Sequence, residues 1–148
     1  MITIDSNIWI YYLDKTLNEH KYVNDPVEQV IRNEEILTST IIWLEVSHYL
    51  YKISSIPKQK IESTLRRLVR LSSMRVIDFD MELYFETIRL LGEFRHNGTF
   101  SLGGRDASIV AMMKRQKVNT ILTHDRDFKK LEDKGIIKIL DPILLRKE

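Results

Sequence analysis

The chain has 148 residues, 43% apolar and 30% charged, with a formal net charge of +2 and no cysteine; the length suits one domain with a single core and the composition an ordinary globular protein. The lack of cysteine excludes a disulfide scaffold, thiol chemistry and cysteine-ligated zinc, and it fits a reducing, cytoplasmic setting. No basic segment followed by an apolar run opens the chain, so no signal peptide is expected, and no apolar run has the length of a membrane span.

Ile2 and Ile4 alternate with Thr3 and predict a short strand that stops on Asp5, followed by Ser6 and Asn7. In open parallel sheets, ligands bind beyond the carboxyl ends of the strands, so Asp5 is a candidate metal ligand or acid/base. On this stretch alone the better reading is a helix N-cap, with an apolar helix opening near Ile8. Asp14 to Asn24 reads as a polar loop. Asp25-Pro26 reads as a helix start, followed by the stripe Val27, Val30 and Ile31. Ile36-Leu37-Thr38 is a second strand, and Ser39 or Thr40 caps a helix through about Lys52. That helix is apolar except at Glu45, which shares a face with Ile41 and Tyr49. Such a glutamate is at the rim, paired, or bound to a cation.

Ser55 to Ser73 reads as a helix with Pro57 in its first turn. Ile61, Leu65, Leu68 and Leu71 or Ser72 form its inner stripe, and Lys58, Lys60, Arg66, Arg67 and Arg70 its outer face. A solvated face is the usual meaning of such a run. Arg75 to Ile77 is a third strand. Asp80 then caps a helix from Met81 to about Arg95, with Leu83, Tyr84, Ile88, Leu91 and Phe94 as its core line. His96 to Gly104 is a glycine-rich loop. Asp106 stands at the start of a helix reaching Lys117, on the same stripe as Ile109, Val110 and Met113; the helix dipole alone would favour a first-turn acid. Thr120 to Thr123 is a fourth strand running into His124-Asp125-Arg126-Asp127-Phe128. A short helix from Phe128 to Asp133 ends at Gly135, and Ile136 to Leu140 is a last strand. Strands alternate with helices throughout, so the class is α/β with a mainly parallel sheet of four to five strands.

Such a fold could bring Asp5, Glu45, Asp106 and Asp125 together. Two unit charges ~4 Å apart interact by ~4 kcal/mol at an effective dielectric near 20, so clustered carboxylates repel strongly. The cluster persists only with a cation or with some acids protonated. The four histidines offer no pair with zinc-ligand spacing on one helix, and all-oxygen ligation suits Mg²⁺ or Mn²⁺. A net charge of +2 does not by itself mark a nucleic-acid binder, but a small cationic excess around acids suits a metal-dependent enzyme acting on phosphates.

The order and spacing of these residues resemble a PIN domain: Asp5-Ser6-Asn7 after a first strand, Glu45 in the helix after the second, Asp106 heading a helix, and Thr123-His124-Asp125-Arg126-Asp127-Phe128 after a late strand. The resemblance runs from Met1 to about Leu140 and is greatest to the small VapC toxins of toxin–antitoxin pairs. It implies one PIN-like domain over residues 1–148 with a three-layer α/β/α fold, and a Mg²⁺- or Mn²⁺-dependent endoribonuclease. Asp5, Glu45, Asp106 and Asp125 would be the catalytic acids, with metal on Asp5, Asp106, Asp125 and Asp127, since Asp127 could share or replace the role of Asp125. Ser6, Asn7 and Thr123 would hold the acids by hydrogen bonds. Arg105 and Arg126 are candidate RNA contacts, although Arg105 could instead pair with an acid. A VapB-like antitoxin and a homodimer are the implied partners, and Trp9, Tyr11, Tyr12, Trp43 and Tyr51 suit either an interface or the core. Two rivals stand beside this reading: a PIN nuclease of RNA processing that is not a toxin, and a non-catalytic RNA-binding module using the basic helix near Arg67. A haloacid-dehalogenase-type phosphotransferase fits poorly, because Asn7 stands where it would want a second Asp.

Overall fold

The structure, a computed structural model, describes residues 1–96 and 102–145. In chain order the elements are β1 (Ile2–Ile4), α1 (Ser6–Leu13), α2 (His20–Asn33), β2 (Ile36–Ser39), α3 (Thr40–Lys52), α4 (Lys58–Leu68), β3 (Met74–Ile77), α5 (Met81–His96), α6 (Gly104–Arg115), β4 (Thr120–Leu122), a 3₁₀ turn (Arg126–Phe128), α7 (Lys129–Asp133) and β5 (Lys138–Leu140). The five strands form one all-parallel sheet in the order β3-β2-β1-β4-β5. Strands β1 and β2 are buried along their whole length, as expected where helices cover both faces of a parallel sheet.

The order explains where a site can form. From β1 the chain steps outward to β2 and β3, then crosses back to β4 and β5 on the other side. Right-handed crossovers send α1–α4 to one face and α5–α7 to the other. Helix α1 packs on α2 and α3, and α5 packs on α6. The connections part between β1 and β4, and the crevice lies beyond the carboxyl ends of those two strands. The core holds Ile4, Ile8, Ile36, Leu37, Met112 and Met113. Trp9 and Trp43 belong to it too, with ring centroids 5.0 Å apart, whereas Tyr51 is exposed and Tyr11 and Tyr12 are half-buried. Among the described residues no helix is long and apolar enough to cross a membrane.

The helix expected to start at Asp25-Pro26 begins instead at His20 and runs through Pro26. Val23 and Val27 lie one turn apart and are both fully buried. An interior proline costs about 3 kcal/mol, and each buried valine recovers about 1.5–3 kcal/mol, so the stripe extends the helix upstream. The core line read for α5 is also corrected. Leu83, Thr87, Leu90 and Phe94 face inward, while Tyr84 and Ile88 are exposed with Met81 and Phe85. The helix has two apolar faces, and its packing on α6 covers only one. The helix expected over Ser55 to Ser73 is shorter, and Pro57 sits at its N-cap position. The loop expected over 96–104 lies mostly outside the described residues, with His96 closing α5 and Gly104 opening α6.

Candidate active site

The register Ile4↔Leu122 between β1 and β4 sets the next residues, Asp5 and Thr123, side by side at the carboxyl edge of the sheet. Asp5 caps α1, its Oδ1 accepting from the Ser6 amide at 2.7 Å. It is also fully buried, so the cap and the functional position are the same residue. Asp5 Oδ2 accepts from the Thr123 hydroxyl at 2.8 Å. Burial lifts the Asp5 carboxyl to a pKa of about 6, against the opposing pull of Arg105, Thr123 and the Ser6 amide. Thr123 Oγ1 in turn accepts from the Asp125 amide at 3.0 Å, so one hydroxyl ties both strand-end acids. Asn7 Nδ2 reaches Thr123 Oγ1 at 3.5 Å, and Asn7 Oδ1 is buried with no partner among the described residues.

Asp125 caps the 3₁₀ turn, its Oδ1 accepting from the Asp127 amide at 2.9 Å. Helix α6 brings Asp106 in from the opposite face in its first turn, at 7% exposure. One carboxylate oxygen from each of Asp106, Asp125 and Asp127 lies within 4.8 Å of the others. Burial raises the Asp106 pKa, with Asp125 and Asp127 adding to it and Arg105 opposing. Three carboxylate oxygens at this spacing make an all-oxygen donor set suited to Mg²⁺ or Mn²⁺. Asp125 and Asp127 thus both contribute an oxygen to the cluster.

Glu45 comes in on α3 and lies at the rim, with its side chain 38% exposed. It joins the other acids through Arg105. Arg105 Nη1 donates to Glu45 Oε2 at 2.5 Å and to Ser6 Oγ at 2.9 Å, and lies 3.9 Å from Asp5 Oδ1. Its Nη2 donates to Asp106 Oδ1 at 2.5 Å and to Asp125 Oδ2 at 3.4 Å, and Nε donates to Asp106 Oδ1 at 2.8 Å. Burial works against the guanidinium charge, but Asp5, Glu45 and Asp106 outweigh it and raise the pKa. In this structure, then, Arg105 pairs with acids. Arg126 is exposed, in the 3₁₀ turn between Asp125 and Asp127. With Thr123, His124 and Asp125 it lines a groove of about 730 Å³ that continues past Leu140 and Leu144. His124 Nδ1 is paired with Asp141 at 2.8 Å in the same wall. That pair was not visible in the sequence, since nothing local links the two residues.

The family model of the PIN domain matches residues 2–134. The chain belongs to the PIN domain family. Solved structures similar to this PIN chain include VapBC2 from Rickettsia felis bound to a DNA fragment from its promoter, at 22% identity and a TM-score of 0.67, with 95% of this chain and 98% of that one covered. FitAcB from Neisseria gonorrhoeae aligns at 18% identity and a TM-score of 0.70, covering 97% and 99%. VapC20 from Mycobacterium tuberculosis, described as a sarcin–ricin loop cleaving toxin, aligns at 14% identity and a TM-score of 0.68, covering 88% and 95%. At these identities the shared property is the fold. A comparison with curated proteins finds no match.

Proposed function

We propose that this PIN chain is a Mg²⁺- or Mn²⁺-dependent endoribonuclease of the VapC kind and the toxin of a toxin–antitoxin pair. The observation that carries the reading is the convergence of Asp106, Asp125 and Asp127 within 4.8 Å beside the buried Asp5, at the switch point of a parallel sheet. Asp106, Asp125 and Asp127 would hold the metal, with Asp5 behind them fixed by Thr123 and the Ser6 amide. A bound divalent ion would make a water nucleophilic at neutral pH and offset charge on the phosphate oxygens. Glu45, the most solvent-reached of the catalytic acids, would orient that water and take its proton. The water oxygen would bond to phosphorus in line as the P–O3′ bond breaks, giving a 5′-phosphate and, once the leaving oxygen takes a proton from solvent, a 3′-hydroxyl. The exposed Arg126 would track the RNA backbone along the groove.

Similarity to VapC20 supports a structured RNA loop as substrate, and similarity to VapBC and FitAB complexes supports a VapB-like antitoxin as partner. A homodimer, implied by the family resemblance, is part of the same proposal. The test is cleavage of a structured RNA by purified protein with Mg²⁺ or Mn²⁺, with EDTA, and by the Asp5→Asn variant. Cleavage that needs both the metal and Asp5 supports the proposal. Cleavage that survives EDTA, or an Asp5→Asn protein of full activity, overturns it.

A further inference from the structure

The acids of this site already hold a cation, and it is a residue of the chain. The Arg105 guanidinium touches four carboxylates from four elements: Asp5 after β1, Glu45 in α3, Asp106 in α6 and Asp125 after β4. Two of the three residues whose oxygens converge for a metal, Asp106 and Asp125, are also hydrogen-bonded by Arg105 Nη2. A small hard cation binds carboxylate oxygen at about 2.1 Å and needs lone pairs directed at it. The guanidinium uses lone pairs of the same two carboxylates. Its positive charge would also lie a few ångströms from the ion in a half-buried pocket, where like charges repel strongly.

We propose that Arg105 is an internal competitor for the metal: it holds the site in the metal-free protein and must swing out before the ion is fully bound. This rests on the metal-dependent reading above. The geometry gives the side chain a way out. Arg105 is 28% exposed and its partner Glu45 is 38% exposed, so the guanidinium sits at the mouth of the crevice and not beneath it. Of its other partners, Asp5, Asp106 and Asp125, the first two are buried, and all three keep their positions without it: Asp5 through Ser6 and Thr123, Asp106 through the first turn of α6, and Asp125 through Thr123 and the Asp127 amide. The site is therefore preformed, and the arginine alone has to move. Departure of Arg105 also frees Glu45, its partner on α3. Two consequences follow. The metal-free protein is stabilised by neutralising part of the acid cluster. The apparent metal affinity is lowered by the fraction of molecules in which the arginine is seated.

The test uses the whole chain stripped with EDTA, and Mn²⁺ alone as titrant in calorimetry, for wild type, Arg105→Gln and Arg105→Lys. Arg105→Gln is expected to bind Mn²⁺ roughly tenfold more tightly than wild type. It should melt lower than wild type in EDTA and gain more from added Mn²⁺, with Arg105→Lys between the two. Because the glutamine variant removes charge compensation and could fail to fold, a second readout uses wild type only. The arginine Nε–H resonance of Arg105, followed by NMR during Mg²⁺ titration, is expected to leave its hydrogen-bonded position as the site fills. Equal or weaker Mn²⁺ binding by folded Arg105→Gln, or an Nε–H resonance that stays in place at saturation, overturns the competitor role and leaves the nuclease reading standing. Failure of both wild type and Arg105→Gln to bind either ion would remove the metal reading, and this inference with it.

Discussion

Thr123 Oγ1 donates to Asp5 Oδ2 at 2.8 Å across 118 residues of sequence, and the same oxygen accepts from the Asp125 amide at 3.0 Å. The hydroxyl sets the position of both acids, and the β1–β4 register is what brings it there. Replacing Thr123 with Val keeps the shape and removes the hydroxyl. Asp5 Oδ2 then loses its donor in a fully buried site, at a cost of about 1–3 kcal/mol. We expect a lower urea midpoint and a fall in RNA cleavage exceeding that of Thr123→Ser, which restores the hydroxyl. Equal stability and activity for Val and wild type would show that the register alone places the acids.

The raised Asp5 pKa has a definite sign in stability. The folded value of about 6 lies above the ordinary 3.8, because burial disfavours the charged form. Its contribution to stability is full below the unfolded pKa and is lost as pH rises through the folded one, between about pH 4 and 6. A shift of this size corresponds to about 3 kcal/mol at neutral pH. In EDTA, Asp5→Asn should therefore be no less stable than wild type at pH 7.5, despite its poorer match to Thr123. Its advantage should shrink as the pH falls to 4. Urea unfolding of both proteins across that range checks this; an advantage that grows on acidification would contradict the buried carboxylate.

The site was legible in the sequence where local signals coincide with topology. An acid directly after an apolar strand, as at Asp5, is placed by the strand itself, and Asp125 follows its strand after only two intervening residues. Asp106 was legible as an acid on the stripe of Ile109, Val110 and Met113. For Arg105 the sequence left two readings open, an RNA contact or an acid's partner, and its reach to four acids was not legible, since a residue beside an acid in sequence can point anywhere until the rest of the crevice is built around it. The two errors in the helices share another cause. Asp25-Pro26 is a strong local start signal, but the buried pair Val23 and Val27 overrides it. In α5, an apolar residue stands at nearly every position of two faces, so periodicity could not say which face meets α6.

That ambiguity makes α5 a direct test of the fold. Leu83 is fully buried, whereas Phe85, two residues on, is 52% exposed. Leu83→Ala should cost about 2–4 kcal/mol through lost contacts and a cavity. Phe85→Ser, on the outer face, should change monomer stability by about 0.5 kcal/mol or less. Chemical denaturation at low protein concentration measures both. A reversed order would mean that the face carrying Phe85, and not the face carrying Leu83, is the packed one.

Asp14 is a buried acid with a structural task, at the far end of α1 from Asp5. It caps the helix, its amide bonding Ile10 O at 2.9 Å. Its Oδ1 accepts from the Thr16 amide at 3.1 Å, from Thr16 Oγ1 at 2.7 Å and from Ser55 Oγ at 3.0 Å. The last bond ties the end of α1 to the segment between α3 and α4. Burial pushes its carboxyl up, but these bonds to the charged form outweigh it and hold the pKa below the ordinary value. The sign is thus opposite to that of Asp5: the stability is present above the unfolded pKa and is lost as pH falls through the folded one. Asp14→Asn should lose about 1–3 kcal/mol at neutral pH, and its deficit against wild type should narrow below about pH 4. At 1.5 Å per residue, Asp14 lies roughly 13 Å along the helix from Asp5, so Mn²⁺ affinity should be unchanged. A variant that loses metal binding while keeping its stability would place Asp14 in the site and not in the scaffold.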